Sequence, residues 1–230
     1  TNHFSRSGVV CLIAEDDTSA LELASDLLSY FPDNMLSKSP VLKNDDIWDR
    51  NCNEINKILP YRQEKTYDVR EIIKIIFDKK TFLELFSDYA SNIVVGLARL
   101  DGISIGIVAN QSSVLEGSLD IKSSIKAARF IRTCDCFNIP IVTLIDSPGF
   151  LPEITQEFGG IINHGAKLPF AYSEATVPKL SVVIGKAYGG AYLAMGCKQL
   201  NSDYNISWPS GEITVMESKD AVNIIHSEEL

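Results

Sequence analysis

The feature that most constrains this chain is a continuous apolar run, Ile139-Pro140-Ile141-Val142-Thr143-Leu144-Ile145, that stops at Asp146-Ser147-Pro148-Gly149. A run of this length and composition fits a strand buried on both faces, and such a strand needs helices to cover it. The flanking segments supply them. A helix is expected from about Ser123 to Phe137, with Ala127, Phe130, Ile131 and Cys134 on one face. Downstream, the pattern predicts a helix over 161–175, a strand over 180–184 and a helix over 189–198. Short strands at 206–208 and 213–216 precede a last helix from Ser218. Strand–helix alternation of this kind predicts an α/β core with crossover connections.

The first third of the chain reads differently. Ala20, Leu23, Ala24, Leu27, Leu28 and Phe31 recur at helical spacing over 16–31, Ser19 and Glu22 have capping-box spacing, and Pro32 ends the run. From 33 to 65 the chain is polar, contains Pro40 and Pro60, and has no sustained period. A structureless run of that length is uncommon inside one domain, so it reads as a connection between two. Asp68 and Glu71 are placed to cap a second helix with the stripe Val69, Ile72, Ile73, Ile76 and Phe77. Strands over 93–100 and 103–109 flank Asp101-Gly102, a two-residue hairpin signal.

Charge and cysteine content narrow the function classes. Thirty acidic against 21 basic residues give a formal net charge of −9. Such a surface repels nucleic-acid phosphates and anionic lipid, so neither is an expected partner. No apolar run is long enough to cross a bilayer. The five cysteines have no framework spacing, which predicts reduced thiols and a cytoplasmic or matrix setting. Cys134 and Cys136 lie two apart on a helix and point to different faces, so no metal site is expected. Thr1 in place of Met, and the acidic, helix-like tail Ser227–Leu230, are expected to be cut ends of a longer protein.

Three constellations are candidates for chemistry. Lys186-Ala-Tyr-Gly189-Gly190-Ala191-Tyr192 follows a buried strand and opens a helix. Backbone N–H groups in a first helical turn have no partners and carry the positive end of the dipole, so two of them can hold an oxyanion. Close helix–strand packing by small residues explains the same spacing equally well. Asp146-Ser-Pro-Gly149-Phe150-Leu-Pro152 ends a strand where α/β folds place ligand crevices, although a plain turn accounts for it too. Gln156-Glu157-Phe158-Gly159-Gly160 precedes a helix that carries His164 and Lys167. Phosphoryl transfer is not expected, because no G-x-x-x-x-G-K-[ST] occurs: Ala187 follows Lys186. There is no G-x-S-x-G elbow either, and no convincing acid, base or nucleophile. Paired backbone donors without a side-chain base fit enolate chemistry on thioesters, where substrate or cofactor moves the proton.

These segments resemble the carboxyltransferase β-chain family of biotin-dependent acyl-CoA carboxylases, of the propionyl-CoA carboxylase type. The resemblance rests on Asp146-Ser-Pro-Gly149-Phe-Leu-Pro152, on Gln156 through Lys167, on Glu174-Ala-Thr-Val-Pro178-Lys179 and on Lys186 through Tyr192. Tyr67 through Ile73, Asn92 through Gly96 and Leu119-Asp120-Ile121 extend it over nearly the whole chain. It implies a crotonase-like (ClpP/crotonase) ββα spiral. Residues 1–32 would end an N-terminal carboxyltransferase domain, 33–66 would connect, and 67–230 would form a C-terminal domain incomplete at its C-terminus.

The implied reaction moves a carboxyl group from N-carboxybiotin, held on a partner carrier, to the α-carbon of a short-chain acyl-CoA such as propionyl-CoA. The implied donors to the biotin oxygen are the amides of Gly190 and Ala191. The implied substrate-binding positions are Gly149, Phe150, Gly159, Gly160, Tyr192 and Leu193. Implied partners are a biotin carboxylase with its carrier, acyl-CoA and further copies of the chain in a dimer-based hexamer. The compartment would be the cytoplasm, or the mitochondrial matrix in a eukaryote.

Leu193 stands where propionyl-type members usually place a small or acidic residue, and Glu153-Ile154 replaces a usual Gly-Thr pair. A fragment lacking the first domain is expected to be inactive alone. Two alternatives are a subunit of a biotin-dependent decarboxylase of a sodium pump and a non-catalytic assembly subunit.

Overall fold

The computed structural model describes residues 2–43, 45–47, 49–59 and 66–226. Pro60 and Lys65 of the expected connection, and the Ser227–Leu230 tail, lie outside them. Two helices come first, α1 (Asn2–Ser5) and α2 (Asp17–Ser29). Short α3 (Ile55–Ile58) and α4 (Val69–Ile76) follow. Then come β1 (Leu83–Leu85), β2 (Ile93–Leu100), β3 (Ile103–Asn110), α5 (Ile121–Cys136) and β4 (Ile141–Ser147). After these lie α6 (Ile154–Phe158), α7 (Ile161–Gly165), α8 (Lys167–Glu174), β5 (Lys179–Tyr188) and α9 (Gly189–Ala194). Strands β6 (Tyr204–Ser207) and β7 (Glu212–Thr214) and helix α10 (Ser218–Ile225) complete the order.

The strands form one sheet in the order β1-β2-β3-β4-β5-β6, with β7 paired to β5 beyond β6. The β2–β3 hairpin is antiparallel in the register Leu100↔Ile103, and both turn residues have positive φ (Asp101 51°, Gly102 75°). That is the backbone an Asp-Gly pair adopts most readily. From β3 to β7 all pairings are parallel. Both sheet faces are covered, which explains why the strands read as unbroken apolar runs. Val95, Leu97, Val108 and Ile145 pack with Ala127, Phe130 and Ile131 of α5 and with Leu168 and Tyr172 of α8. Val94, Ala98, Ile107 and Leu144 face the other way, onto Val69, Ile72, Ile73 and Phe77 around α4.

Several local expectations are corrected. The capping box of α2 is formed by Asp16 and Ser19, whose side chains accept from each other's backbone amides, rather than by Ser19 and Glu22. Asp68 caps α4 through the Arg70 amide, while Glu71 pairs with Lys74. The helix expected over 161–175 breaks at Ala166 into α7 and α8, and β5 runs four residues past the expected strand end at 184. The helix from Gly189 stops at Ala194.

The segment over 33–59 is not free of structure. Its Val41 bridges Ile103, and α3 buries Ile55. Arg50 donates to the backbone carbonyls of Ile75, Ile76 and Phe77, which satisfies the open end of α4. Helix α2 buries no side chain within the chain, and Leu21 and Leu28 are 73% and 69% exposed.

Candidate functional site

The site grows from the C-terminal ends of β4 and β5. The ladder between these strands pairs Ile145 with Val183 and then Ser147 with Ala187. Residues 184–186 of β5 therefore stand opposite Asp146 alone. The resulting bulge frees the Lys186 amide, which donates to the Asp146 carboxylate at 2.8 Å. Tyr67 donates its hydroxyl to the other carboxylate oxygen at 2.7 Å, and the Asp146 amide donates to Asn110 Oδ1 at 3.2 Å. Burial holds the Asp146 carboxyl above the usual range, opposed by the Tyr67 hydroxyl and the Lys186 amide. Burial, followed by the Asp146 charge, pushes the Tyr67 phenol up. A Cβ at Gly185 would lie 2.3 Å from Asp146 Oδ1, so the strands approach this closely only with glycine there.

The turn that leaves this clamp is Tyr188-Gly189-Gly190. Tyr188 caps α9 without a side-chain bond, and its hydroxyl donates to Glu212 at 2.5 Å. Gly189 adopts φ 51°, which turns the chain into the helix. The amides of Gly190 and Ala191 belong to the first turn of α9, where no carbonyl lies one turn back to receive them. No described residue accepts a hydrogen bond from either. Gly190 is exposed, whereas Ala191 is wholly buried behind it.

A cavity of about 390 Å³ opens beside Gly190. Of the eight expected site residues, Phe150, Gly190 and Leu193 line it together. The Phe150 ring packs over both glycine positions facing it: a Cβ at Gly165 would sit 3.0 Å from the ring, and one at Gly190 3.7 Å. Leu193 is 49% exposed at the mouth.

The other expected residues act on the frame. Gly149 ties the β4 loop to Leu119 by accepting its amide at 3.0 Å. Gly159 ends α6, Gly160 starts α7 with φ 81°, and Tyr192 packs into the core with Ala191. Sequence reasoning missed the apolar walls Ile161, Ile162, Pro169 and Leu200. His164 lies outside the cavity lining, with its Nδ1 2.9 Å from Lys167 Nζ. Cys134 is buried and Cys136 exposed, and no described group of three or more His, Cys, Asp or Glu is placed to hold a metal.

Chemically, the cavity offers an apolar floor and Gly190 at a helix N-terminus, with one carboxylate, Glu157, in its lining; Ala191 is not part of that lining. A flat, neutral ring system with one oxygen that becomes negative matches that combination. A Cβ added at Gly190 would only reach ordinary contact with the Phe150 ring, at 3.7 Å, so the backbone amide and not the missing side chain is what this position offers.

The propionyl-CoA carboxylase carboxyltransferase subunit of Haloferax mediterranei is 48% identical over 230 residues, spanning 100% of this chain and 45% of that protein. The methylmalonyl-CoA decarboxylase subunit alpha of Propionigenium modestum is 45% identical over 228 residues, 99% of this chain and 44% of that one. The chain thus spans less than half the length of these relatives. The crystal structure of a transcarboxylase 12S hexamer with methylmalonyl-coenzyme A and methylmalonic acid bound superimposes with a TM-score of 0.95. It is 49% identical, and the match covers 99% of this chain and 44% of that one. The α/β fold is therefore crotonase-like, as the resemblance implied. No described helix is long and apolar enough to cross a membrane. The family model described as the carboxyl transferase domain matches residues 1–230, and the chain belongs to that family.

Proposed function

We infer that the protein containing this chain transfers a carboxyl group from N-carboxybiotin to the α-carbon of a short-chain acyl-CoA such as propionyl-CoA. The chain itself handles the biotin. The observation that carries this reading is the cavity beside Gly190, where an exposed glycine at the start of α9 meets an apolar pocket floored by Phe150. Carboxybiotin bound there would supply the activated carboxyl group and, once that has left, the base for the acyl α-proton. The residues of this chain bind and orient. The Gly190 amide, with Ala191 behind it, stabilises negative charge on the ureido oxygen. Phe150 and Ile161 exclude water, which strengthens that interaction. Leu193 at the mouth bears on acyl length.

The domain reading stands beside this. Residues 1–32 belong to a first domain, 33–66 connect, and 67–230 form most of a second. The bare apolar surface of α2, with Leu21 and Leu28 in solvent, supports it, since a helix of that kind normally packs on something. The whole protein works as a hexamer with a biotin carboxylase and a biotin carrier, in the cytoplasm or the mitochondrial matrix. The decarboxylase relative supports a second reading, in which the same site runs in reverse within a sodium pump.

The test is Gly190→Pro against Gly190→Ala in the full-length protein. Proline removes the donor, so transfer falls by about 10²–10³-fold or more. Alanine keeps it, and its Cβ meets the Phe150 ring at an ordinary 3.7 Å, so most activity survives. Equal activity in both variants would show that this amide is not used.

A further inference from the structure

Helix α8 is the wall of two hollows. On one side Ala166 and Pro169 line the cavity that holds Gly190. On the other, Lys167, Phe170, Ala171 and Glu174 line a groove of about 750 Å³ shared with Ile125, Arg129, Arg132 and Cys136 of α5. This groove runs against the charge of the molecule. The chain carries −9 overall, yet the rim here holds Arg129, Arg132 and Lys167 against one acid, Glu174. Lys122, seven residues before Arg129 on the same face of α5, extends the cationic stripe. Asp135 does not offset it, because its carboxylate is turned to the amides of Thr176 and Val177.

The side chains are open for contact. Arg132 reaches Glu174 only at 3.7 Å between exposed groups, a pair worth little in water. Lys122 and Arg129 form no ion pair with any described residue. Phe170, 66% exposed at the groove, adds an apolar anchor point.

We propose that the α5–α8 groove is the docking surface for an acidic partner domain that carries tethered biotin to the neighbouring cavity. This rests on the reading of the cavity as a biotin site. Charge complementarity selects an acidic partner and gives it fast, oriented arrival on an otherwise repelling molecule. The geometry suits a tether: one helix, roughly 10 Å across, separates the docking groove from the site. A biotinylated side chain spans that width, so the carrier body rests outside while its prosthetic group enters beside Gly190.

The experiment uses the full-length protein and two carboxyl acceptors, free biotin and a biotinylated carrier domain of net negative charge, with a malonyl-type acyl-CoA as donor. In that direction the carboxyl group leaves the acyl α-carbon for the ureido nitrogen, whose proton goes to the α-carbon. The double variant R129E/R132E is expected to raise KM for the carrier at least about tenfold and to leave free biotin unaffected. Glu174→Lys lowers the carrier KM. Added salt weakens the carrier with the wild type but not with R129E/R132E.

An unchanged carrier KM in R129E/R132E overturns the proposal, as does an equal loss with free biotin. Unaltered free-biotin kinetics show that the variant is folded, and the opposite-signed Glu174→Lys checks the surface independently. A wild type that carboxylates neither acceptor removes the biotin site itself and the groove's role with it.

Discussion

Helices α2 and α5 start alike and end differently. Both open on an Asp-x-x-Ser capping box, Asp16 with Ser19 and Asp120 with Ser123, with bonds of 2.7–2.8 Å to the third helical amide. Both span more than three turns. Helix α5 buries eight residues, whereas α2 buries none and is held from its C-terminal end. There Arg99 of β2 donates to the carbonyls of Ser29, Pro40 and Gly102 and stacks on the Tyr30 ring at 4.5 Å. Local signals therefore decide that a helix forms, and tertiary burial decides what it is worth.

This contrast can be broken at four points. Ile131→Ala, at a wholly buried position on α5, should cost about 2–5 kcal/mol in denaturant unfolding, through lost transfer energy and a cavity. A cost under about 1 kcal/mol would mean that α5 is not the main support of the sheet. Arg99→Ala should cost less globally, about 2–3 kcal/mol, because buried carbonyls lose a charged donor. Hydrogen exchange should show the loss concentrated in 16–43, and uniform loosening would contradict a local clamp.

The third point is acid. The Ser19 amide and hydroxyl hold the Asp16 carboxyl below its ordinary 3.8. A depressed carboxyl stabilises fully above its unfolded value and loses that contribution as pH falls through the folded one. Amides at the start of α2 should therefore lose protection below about pH 4. Asp16→Asn, which still accepts a hydrogen bond but does not titrate, should abolish the acid step. The smallest effect is Leu28→Ala. In this chain alone it should stay within about 0.5 kcal/mol, and in the full-length protein it should exceed that once a first domain covers α2. Equal effects in both would deny the domain reading.

The two helices also show what a sequence reveals. The stripes of α4 and α5, the Asp-Gly hairpin and the Gly-Gly helix start were all legible, because each is a local pattern with one physical solution. The burial of α5 and the bareness of α2 were not, since both show apolar residues at helical spacing. Arg99 and Lys126 gave no signal: a cation inside Leu97-Ala-Arg-Leu looks like a polar outward position. In fact Arg99 is 3% exposed, and Lys126 donates to four carbonyls in the interior. In the candidate site, Gly190 and Phe150 were named through the family resemblance, and both line the cavity. Tyr67 was not recognised as part of it, because 79 residues separate it from the Asp146 it holds. The cationic groove escaped because its members sit on two helices and read singly as solvent-facing residues.

The slip between β4 and β5 has a consequence for anyone wishing to move this turn into another scaffold. A graft of Tyr188 to Ala191 alone would carry the letters without their alignment. The three residues of β5 that crowd around one aspartate set how far the strand overshoots its neighbour, and so where the glycine points. The transferable part is discontinuous: a carboxylate on one strand, a tyrosine from an earlier helix approach, and a run of seven residues from Ile184 to Gly190. Removing two residues from that run would restore the ladder and turn the amide away.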